Sequence, residues 1–198
     1  MIAGSRIVVG VSGGIAAYKA VEVIRRLVDA GAHVAPVMTE GAAHFIGETT
    51  LSALSSEKVQ TSLWDETSPI PHTRLGQNAD LIVVAPATAR LLSDYASGRS
   101  DDLLTATLIA TRAPVIVCPA MHTEMWEHPS VQDNVSTLRS RGVIVVDPEE
   151  GRLAGGEQAQ AAIGPLAVLV REPRVADQDE VVVLEPVDQL DRLAGLEL

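Results

Sequence analysis

Cysteine, aromatic residues and positive charge are all scarce in this chain. One cysteine among 198 residues, Cys118, excludes an intrachain disulfide and favours a reducing compartment. Aromatic residues make up 3% and hydrophobic residues 46%, so the core has to be built from Val, Ile, Leu and Ala. Such a composition is typical of a parallel sheet covered by helices on both faces. The formal net charge of -11 argues against binding to nucleic acid or to an anionic membrane.

Long apolar runs are also missing. None approaches the ~20 residues that span a bilayer, and residues 1–10 lack the charged start and apolar stretch of a signal peptide. We therefore expect a cytoplasmic protein that has neither a membrane nor a nucleic acid as partner. The length predicts one domain. We place it at residues 1–170, with a C-terminal extension at 171–198 that belongs to the same domain or to an oligomer contact.

Short β-branched runs alternate with helical patterns along most of the chain. The predicted strands cover residues 6–11, 33–38, 80–84, 114–118 and 143–146. The predicted helices cover residues 15–30, 39–55 (in two pieces), 91–98, 103–110 and 130–141. This alternation predicts an α/β fold with a doubly wound parallel sheet, Rossmann-like or flavodoxin-like, in three αβα layers. Beyond Pro148 we expect a loop or flap at 149–164, a connector at 171–180, an edge strand at 181–184 and a helix at 187–198.

The residues that can carry chemistry follow the ends of the predicted strands, where open α/β sheets bind ligands. The first motif, Gly10-Val11-Ser12-Gly13-Gly14-Ile15, joins a strand to a helix. Its glycines allow close approach, the helix start offers free N–H groups, and Ser12 adds a hydroxyl donor. The motif lacks both GxGxxG and the Walker lysine, which favours a mononucleotide phosphate over NAD or ATP. Taken alone, it is equally compatible with a plain tight turn.

Two further motifs end neighbouring strands. Thr39 is placed to meet the same phosphate and Phe45 follows it, although a threonine there is also typical of a helix N-cap. The run 85–88, Ala-Pro-Ala-Thr, offers a flat backbone edge suited to a planar ring, and Arg90 follows it. On composition alone, an ordinary strand-to-helix loop explains this run as well.

The last motif, residues 119–126 (PAMHTEMW), concentrates two Met and one Trp in a chain poor in aromatic residues. It also follows a predicted buried strand, so a hydrophobic plug on the sheet edge is the alternative interpretation. We assign Cys118 to that strand as a small buried hydrophobe and not as a nucleophile.

Taken together, these motifs resemble the homo-oligomeric flavin-containing cysteine decarboxylases over residues 6 to about 155. That family includes phosphopantothenoylcysteine decarboxylase and the peptidyl-cysteine decarboxylases of peptide natural products. The resemblance is carried by GVSGGIAAYKA at 10–20, APATA at 85–89, PAMHTEMW at 119–126 and a histidine at Pro71-His72. It implies FMN as cofactor, no metal, a substrate ending in cysteine, and a homo-oligomer, trimeric or dodecameric.

The resemblance also implies roles for individual residues. His72 is the catalytic base near the substrate thiol. The implied cofactor-binding residues are Gly10, Ser12, Gly13, Gly14, Ile15, Thr39, Phe45, Ala85, Pro86, Ala87 and Thr88. The implied substrate-binding residues are Met121, His122, Met125, Trp126 and Arg90. In relatives, an asparagine stands in place of His122 and an Asn or Asp in place of Arg90.

The implied chemistry is oxidation of the cysteine CH2–SH group, which creates an electron sink for loss of CO2, with FMN taking the two electrons. In the coenzyme A branch a flap cysteine returns a proton, and Gly155 stands in its place here. The sequence therefore favours oxidative decarboxylation of a peptide's C-terminal cysteine to an aminoenethiol. The alternative is phosphopantothenoylcysteine decarboxylation in coenzyme A biosynthesis.

Two other functions remain open at this point. A flavin prenyltransferase of similar fold is disfavoured because such proteins lack a segment like residues 119–126. A non-catalytic partner protein that inhibits a phosphatase is disfavoured because His72 is present.

Overall fold

The computed structural model describes residues 2–64, 69–152 and 158–161. Five parallel strands form the central sheet in the order β2-β1-β3-β4-β5. Their bounds are β1 Arg6–Val11, β2 His33–Met38, β3 Leu81–Ala87, β4 Val115–His122 and β5 Ile144–Val145. The predicted doubly wound fold is confirmed, and its strand order is that of a flavodoxin-like sheet.

Helices cover both faces of this sheet. A 3-10 helix at Ile15–Lys19 leads into α1, and another at Glu40–His44 precedes α2. The α-helices are α1 Ala20–Asp29, α2 Glu48–Leu54, α3 Pro71–Gln77, α4 Ala89–Ser97, α5 Leu103–Ala110, α6 Thr123–Trp126 and α7 Pro129–Ser140. Buried residues of α1 and α2 share one core cluster, and those of α3, α4, α5 and α7 share the other. Three layers result.

Alternating residues of β1 supply the two cores. Val9 belongs to the cluster beneath α1, and Val8 belongs to the cluster beneath α4 and α5. Gly10 lies under α5, where a Cβ would stand 2.5 Å from the buried Leu104 Cδ1. The absence of a side chain at Gly10 therefore serves helix–sheet packing. A cofactor contact by the Gly10 backbone stays a prediction.

An antiparallel hairpin follows the parallel sheet. It is formed by β6 Glu149–Arg152 and β7 Gln158–Ala161, and β7 pairs with the end of β4, opposite Ala120, Met121 and His122. The expected loop at 149–164 is thus wrong for these two strands, and β4 runs beyond the predicted end at Cys118. Neither hairpin strand contains a β-branched residue, which explains why the pattern was missed.

The remaining differences concern boundaries and undescribed residues. Helix α3 was not predicted, because its sequence PHTRLGQ shows no helical apolar repeat. Gly155 and the segments 171–180, 181–184 and 187–198 lie outside the described residues, so the domain boundary at 170 stays a prediction. Within the described ranges, we find no helix with the length and apolarity needed to cross a membrane.

Charged residues cluster at the amino ends of the strands. Arg6 and His33 both contact the Glu57 carboxylate, at 2.6 and 2.9 Å. The backbone N–H of Arg6 donates to Asp80 Oδ2 at 2.7 Å. Partial burial raises the pKa of Glu57, but the hydrogen bonds and charges of Arg6 and His33 outweigh it and hold the pKa below its ordinary value. This amino edge is therefore built from paired charges.

Candidate functional site

The turn after β1 presents backbone donors at the carboxyl edge of the sheet. Among the described residues, the N–H groups of Gly13, Gly14 and Ile15 donate to no protein acceptor. They lie at the start of the helical segment that runs through α1, and its first turn carries no acidic side chain. Free N–H groups at a helix start favour an anion. The turn thus fits the phosphate of FMN.

The position of this turn depends on a backbone contact. A Cβ on Gly13 would lie 2.5 Å from the carbonyl carbon of Gly41, in the 3-10 helix that follows β2. Thr39 lies beside the same contact, since its N–H donates to the Val11 carbonyl at 3.1 Å. Thr39 occupies the N-cap position of that 3-10 helix, but its side chain makes no capping bond. The structure therefore places Thr39 next to the turn, as expected, and adds Gly41, which the sequence reasoning missed.

The second wall is formed by residues 85–88, the end of β3 and the N-cap residue of α4. We call it the 85–88 loop because regular strand pairing ends within it. Ala85 and Ala87 are fully buried in opposite core clusters, so they offer a ligand only their backbone. The Ala85–Pro86 peptide is cis, and the pairing with β4 shifts register between Val84 and Ala87. Thr88 caps α4, its Oγ1 accepting from the Leu91 N–H at 3.3 Å. A Cβ on Gly14 would lie 3.4 Å from Thr88 Cγ2, so this loop and the phosphate turn are neighbours.

Ser12 joins these two walls. Its hydroxyl donates to the Pro86 carbonyl at 2.8 Å and accepts from the Thr88 N–H at 3.0 Å. The side chain is 2% exposed. The hydroxyl is thus bonded within the protein, and its contact with a phosphate stays a prediction.

Apolar side chains lie exposed beside the turn. Ile15 is 50% and Phe45 47% exposed, and Tyr18 is also exposed. Exposed apolar side chains next to unpaired donors suit the rim of a pocket for an amphipathic ligand. A cofactor contact from Ile15 or Phe45 stays a prediction.

His72 lies in the first turn of α3, directly after Pro71. Its Nδ1 is buried and has no hydrogen-bond partner among the described residues. A buried, unpaired ring nitrogen is costly for stability, which points to a functional group. A role of His72 in proton transfer stays a prediction.

Two contacts fix the helix that carries His72. Arg74 donates to Gln60 Oε1 at 3.1 Å, and the Gln60 carbonyl accepts from the N–H of Met38 at the end of β2. A Cβ on Gly76 would lie 2.9 Å from the Thr107 carbonyl, so α3 packs closely on α5. These contacts hold the start of α3 toward the carboxyl ends of the strands. Sequence reasoning found none of them, since each partner is distant in the chain.

The Met- and Trp-rich motif divides into two sets. Met121 and Trp126 are half-buried and pack against the core cluster beneath α4 and α7, in line with a hydrophobic plug. Met125 is 46% exposed, and His122 is exposed at the N-cap position of α6. Because Met125 and His122 are exposed, they are better candidates for contacting a substrate than Met121 and Trp126.

Two residues near these motifs have ordinary environments. Cys118 is fully buried, and burial raises the pKa of its thiol to about 12. This supports a core residue and not a nucleophile. Arg90 is 86% exposed in the first turn of α4, with its Nε 3.5 Å from Asp94. A substrate contact by Arg90 stays a prediction.

A flavodoxin-like sheet, whose carboxyl edge carries a turn with free N–H groups and a second loop against it, is typical of α/β proteins that bind a mononucleotide. The chain belongs to the Flavoprotein family, whose model matches residues 1–172. It is 55% identical over 157 residues to the coenzyme A biosynthesis bifunctional protein CoaBC of Mycolicibacterium smegmatis, covering 79% of this chain and 38% of that protein. It is 42% identical over 194 residues to CoaBC of Escherichia coli, covering 97% and 46%. The chain thus spans under half the length of these curated relatives.

Solved structures give the same fold. A PPC decarboxylase mutant complexed with pantothenoylaminoethenethiol superposes with a TM-score of 0.73 at 28% identity, covering 84% of this chain and 94% of the other. The FMN-dependent cysteine decarboxylase SpaF gives 0.71 at 29%, covering 86% and 99%. The predicted family and fold are confirmed, and FMN is supported as the cofactor.

Proposed function

We propose that this chain is an FMN-dependent decarboxylase of phosphopantothenoylcysteine. The observation that carries the proposal is the 55% identity to CoaBC over 157 residues, compared with 29% to the peptide-type enzymes SpaF and TvaF. The 157 matched residues make up 79% of this chain. Substrate preference within one fold depends on many contacts, so identity over this length outweighs a single flap position.

This order reverses the one that the sequence favoured. Oxidative decarboxylation of a peptide cysteine was preferred because Gly155 replaces a proton-donating cysteine, but Gly155 lies outside the described residues. The peptide reaction becomes the second candidate. The structural likeness to SpaF and TvaF supports it.

Each wall of the site has a separate task in this reaction. Bound FMN supplies a two-electron acceptor for the CH2–SH group of the substrate. The N–H groups of Gly13, Gly14 and Ile15 would hold the FMN phosphate, and the backbone of the 85–88 loop would lie along the ring. The exposed His122 and Met125 would contact the substrate beyond its thiol.

Proton transfer falls to His72. Its Nδ1 is buried and has no partner among the described residues. An imidazole nitrogen can accept the thiol proton of a substrate that comes within hydrogen-bond distance. The half-buried position of the ring restricts access of water and favours a defined direction of transfer. We propose that the same nitrogen gives the proton back when the saturated thiol product forms.

The products separate the two candidates. The FMN-loaded protein is incubated with phosphopantothenoylcysteine or with a peptide ending in cysteine, and the product masses are read. Loss of CO2 alone from phosphopantothenoylcysteine supports the proposal. Loss of CO2 and two hydrogens from the peptide, without turnover of phosphopantothenoylcysteine, contradicts it and supports the second candidate.

Repeating the reaction without O2 adds an independent criterion. Decarboxylation to a saturated thiol returns the electrons to the product, so many turnovers per FMN are expected under anaerobic conditions. An oxidative reaction stops after one turnover per FMN when no external oxidant is present. Multiple anaerobic turnovers therefore support the coenzyme A reaction, and a single turnover opposes it.

A further inference from the structure

We propose that Ser12 is a positioning residue, which sets flavin affinity by holding the 85–88 loop against the phosphate turn and not by contacting the phosphate. We call its hydrogen bonds to Pro86 and Thr88 the Ser12 bridge. The inference deepens the proposed function, because it rests on FMN binding between these two walls. It concerns a residue that the sequence had assigned to the phosphate itself.

The bridge lies where regular strand pairing ends. β1 and β3 are in parallel register up to Gly10 and Val84. Beyond that point the pairing of β3 with β4 becomes irregular before Ala87. There the Pro86 carbonyl accepts from both the N–H and the hydroxyl of Ser12, at 3.3 and 2.8 Å. Hydrogen bonds from Ser12 thus connect β1 to β3 where the regular backbone pairing of the two strands has ended.

The chemistry of a hydroxyl limits what else Ser12 can do. It has one hydrogen to donate, and both acceptors in reach lie on the 85–88 loop: the Pro86 carbonyl at 2.8 Å and Thr88 Oγ1 at 3.4 Å. One of its lone pairs accepts from the Thr88 N–H at 3.0 Å, and burial to 2% exposure closes off solvent. A phosphate needs donors, and the N–H groups of Gly13, Gly14 and Ile15 provide them without Ser12.

Thr88 connects Ser12 to α4 and to the phosphate turn. Its own Oγ1 caps α4 through the Leu91 N–H, and its Cγ2 lies 3.4 Å from the position of a Cβ on Gly14. Removing the Ser12 hydroxyl would leave the Thr88 N–H without its acceptor. The 85–88 loop could then shift relative to Gly14. Because this loop would lie along the ring, loss of its fixed position weakens binding of the ring whether or not the flavin carries a phosphate.

The test compares two flavins on the apoprotein of Ser12→Ala. Riboflavin has the ring of FMN without its phosphate. If Ser12 positions the loop, the affinities for FMN and riboflavin fall by the same factor, about tenfold, and the Thr88 amide exchanges hydrogen faster in the absence of any ligand. If only FMN weakens and Thr88 exchange is unchanged, Ser12 contacts the phosphate and the proposal is overturned. Unchanged affinities for both flavins overturn it as well.

Two further variants guard against loss of the fold. Ser12→Cys keeps the volume but has a weak donor, so we expect the same pattern in smaller degree. Ser55→Ala is the matched control, since the Ser55 hydroxyl donates to the Leu51 or Glu57 carbonyl, each at 2.7 Å, next to the Glu57 side chain that pairs with Arg6 at the amino edge. Ser55→Ala should lower the melting temperature without changing either affinity. Absence of FMN binding by the unsubstituted protein would refute the proposed function. Hydrogen exchange of the Thr88 amide in Ser12→Ala would still show whether the Ser12 bridge holds the 85–88 loop.

Discussion

Charged groups at the amino ends of the strands contact one another, although Arg6 Nε is buried without a partner. At the carboxyl ends, by contrast, three successive backbone N–H groups and one ring nitrogen lack partners among the described residues. At the amino edge, Arg6 and His33 share the Glu57 carboxylate. At the carboxyl edge, described residues offer no acceptor to the N–H groups of Gly13–Ile15 and no partner to His72 Nδ1. Unpaired polar groups cost stability. The amino edge therefore contributes mainly to stability, whereas the N–H groups of the carboxyl edge are available to bind a ligand.

The largest effect at the carboxyl edge is expected for His72→Asn. Loss of proton transfer should lower kcat by roughly a hundredfold to ten-thousandfold, while the flavin absorbance shows that FMN stays bound. His44→Asn is the matched control, because His44 is exposed at the end of the 3-10 helix after β2. Equal kcat values for the two variants would remove His72 from the mechanism.

A backbone contact of the carboxyl edge is tested by Gly13→Ala. The new Cβ would lie 2.5 to 2.8 Å from the Gly41 backbone, and separating the two turns should cost about 1–3 kcal/mol of stability. FMN affinity should fall with it, as measured by fluorescence titration. Gly47→Ala provides the comparison, since its nearest neighbour, Thr50 Oγ1, is 3.9 Å away. If the Gly13→Ala variant bound FMN with unchanged affinity, the phosphate turn would tolerate displacement from Gly41.

The amino edge is tested by Glu57→Gln, measured by urea unfolding. We expect a loss of about 1–2 kcal/mol near neutral pH and no change in FMN affinity. The pKa of Glu57 is lowered by folding. Its contribution is therefore present above the unfolded-state pKa of about 4.3 and is lost as pH falls through the folded-state pKa. The stability difference between the variant and the original protein should shrink in that acidic range. A difference that grows on acidification would contradict the pairing.

The smallest effect is expected at Cys118, which lies in the core between the two edges. Because burial raises the pKa of its thiol to about 12, iodoacetamide at pH 8 should label it only after unfolding. Cys118→Ala should leave turnover unchanged. Rapid labelling of the folded protein would contradict the burial of Cys118 and indicate that its thiol is accessible from the site.

The sequence predicted the motifs of the carboxyl edge well, because each consists of neighbouring residues that follow a strand. It did not foresee the packing and bonding roles of two residues of the first motif. Gly10 makes room for Leu104, and Ser12 bonds Pro86 and Thr88. These partners lie 74 to 94 positions away, and no local pattern carries such a relation.

The amino edge went unnoticed for the same reason. Arg6, His33 and Glu57 are scattered in the sequence, and only parallel pairing of β1 with β2 brings Arg6 opposite His33. Helix α3 was missed because its place depends on Gly76 fitting against α5 and not on a repeat of its own. Local propensity thus identified the sheet and the turns, whereas long-range packing decided the finer roles.

The hairpin pairing with β4 has a consequence for how this scaffold can diversify. The backbone of Met121 and His122 is registered by Gln160 and Ala159, two residues on a separate strand. A one-residue deletion within β7 would shift the register of this ladder. Changes in the length of β7 would therefore reach the substrate motif on β4, whereas substitutions that keep its length leave the register intact.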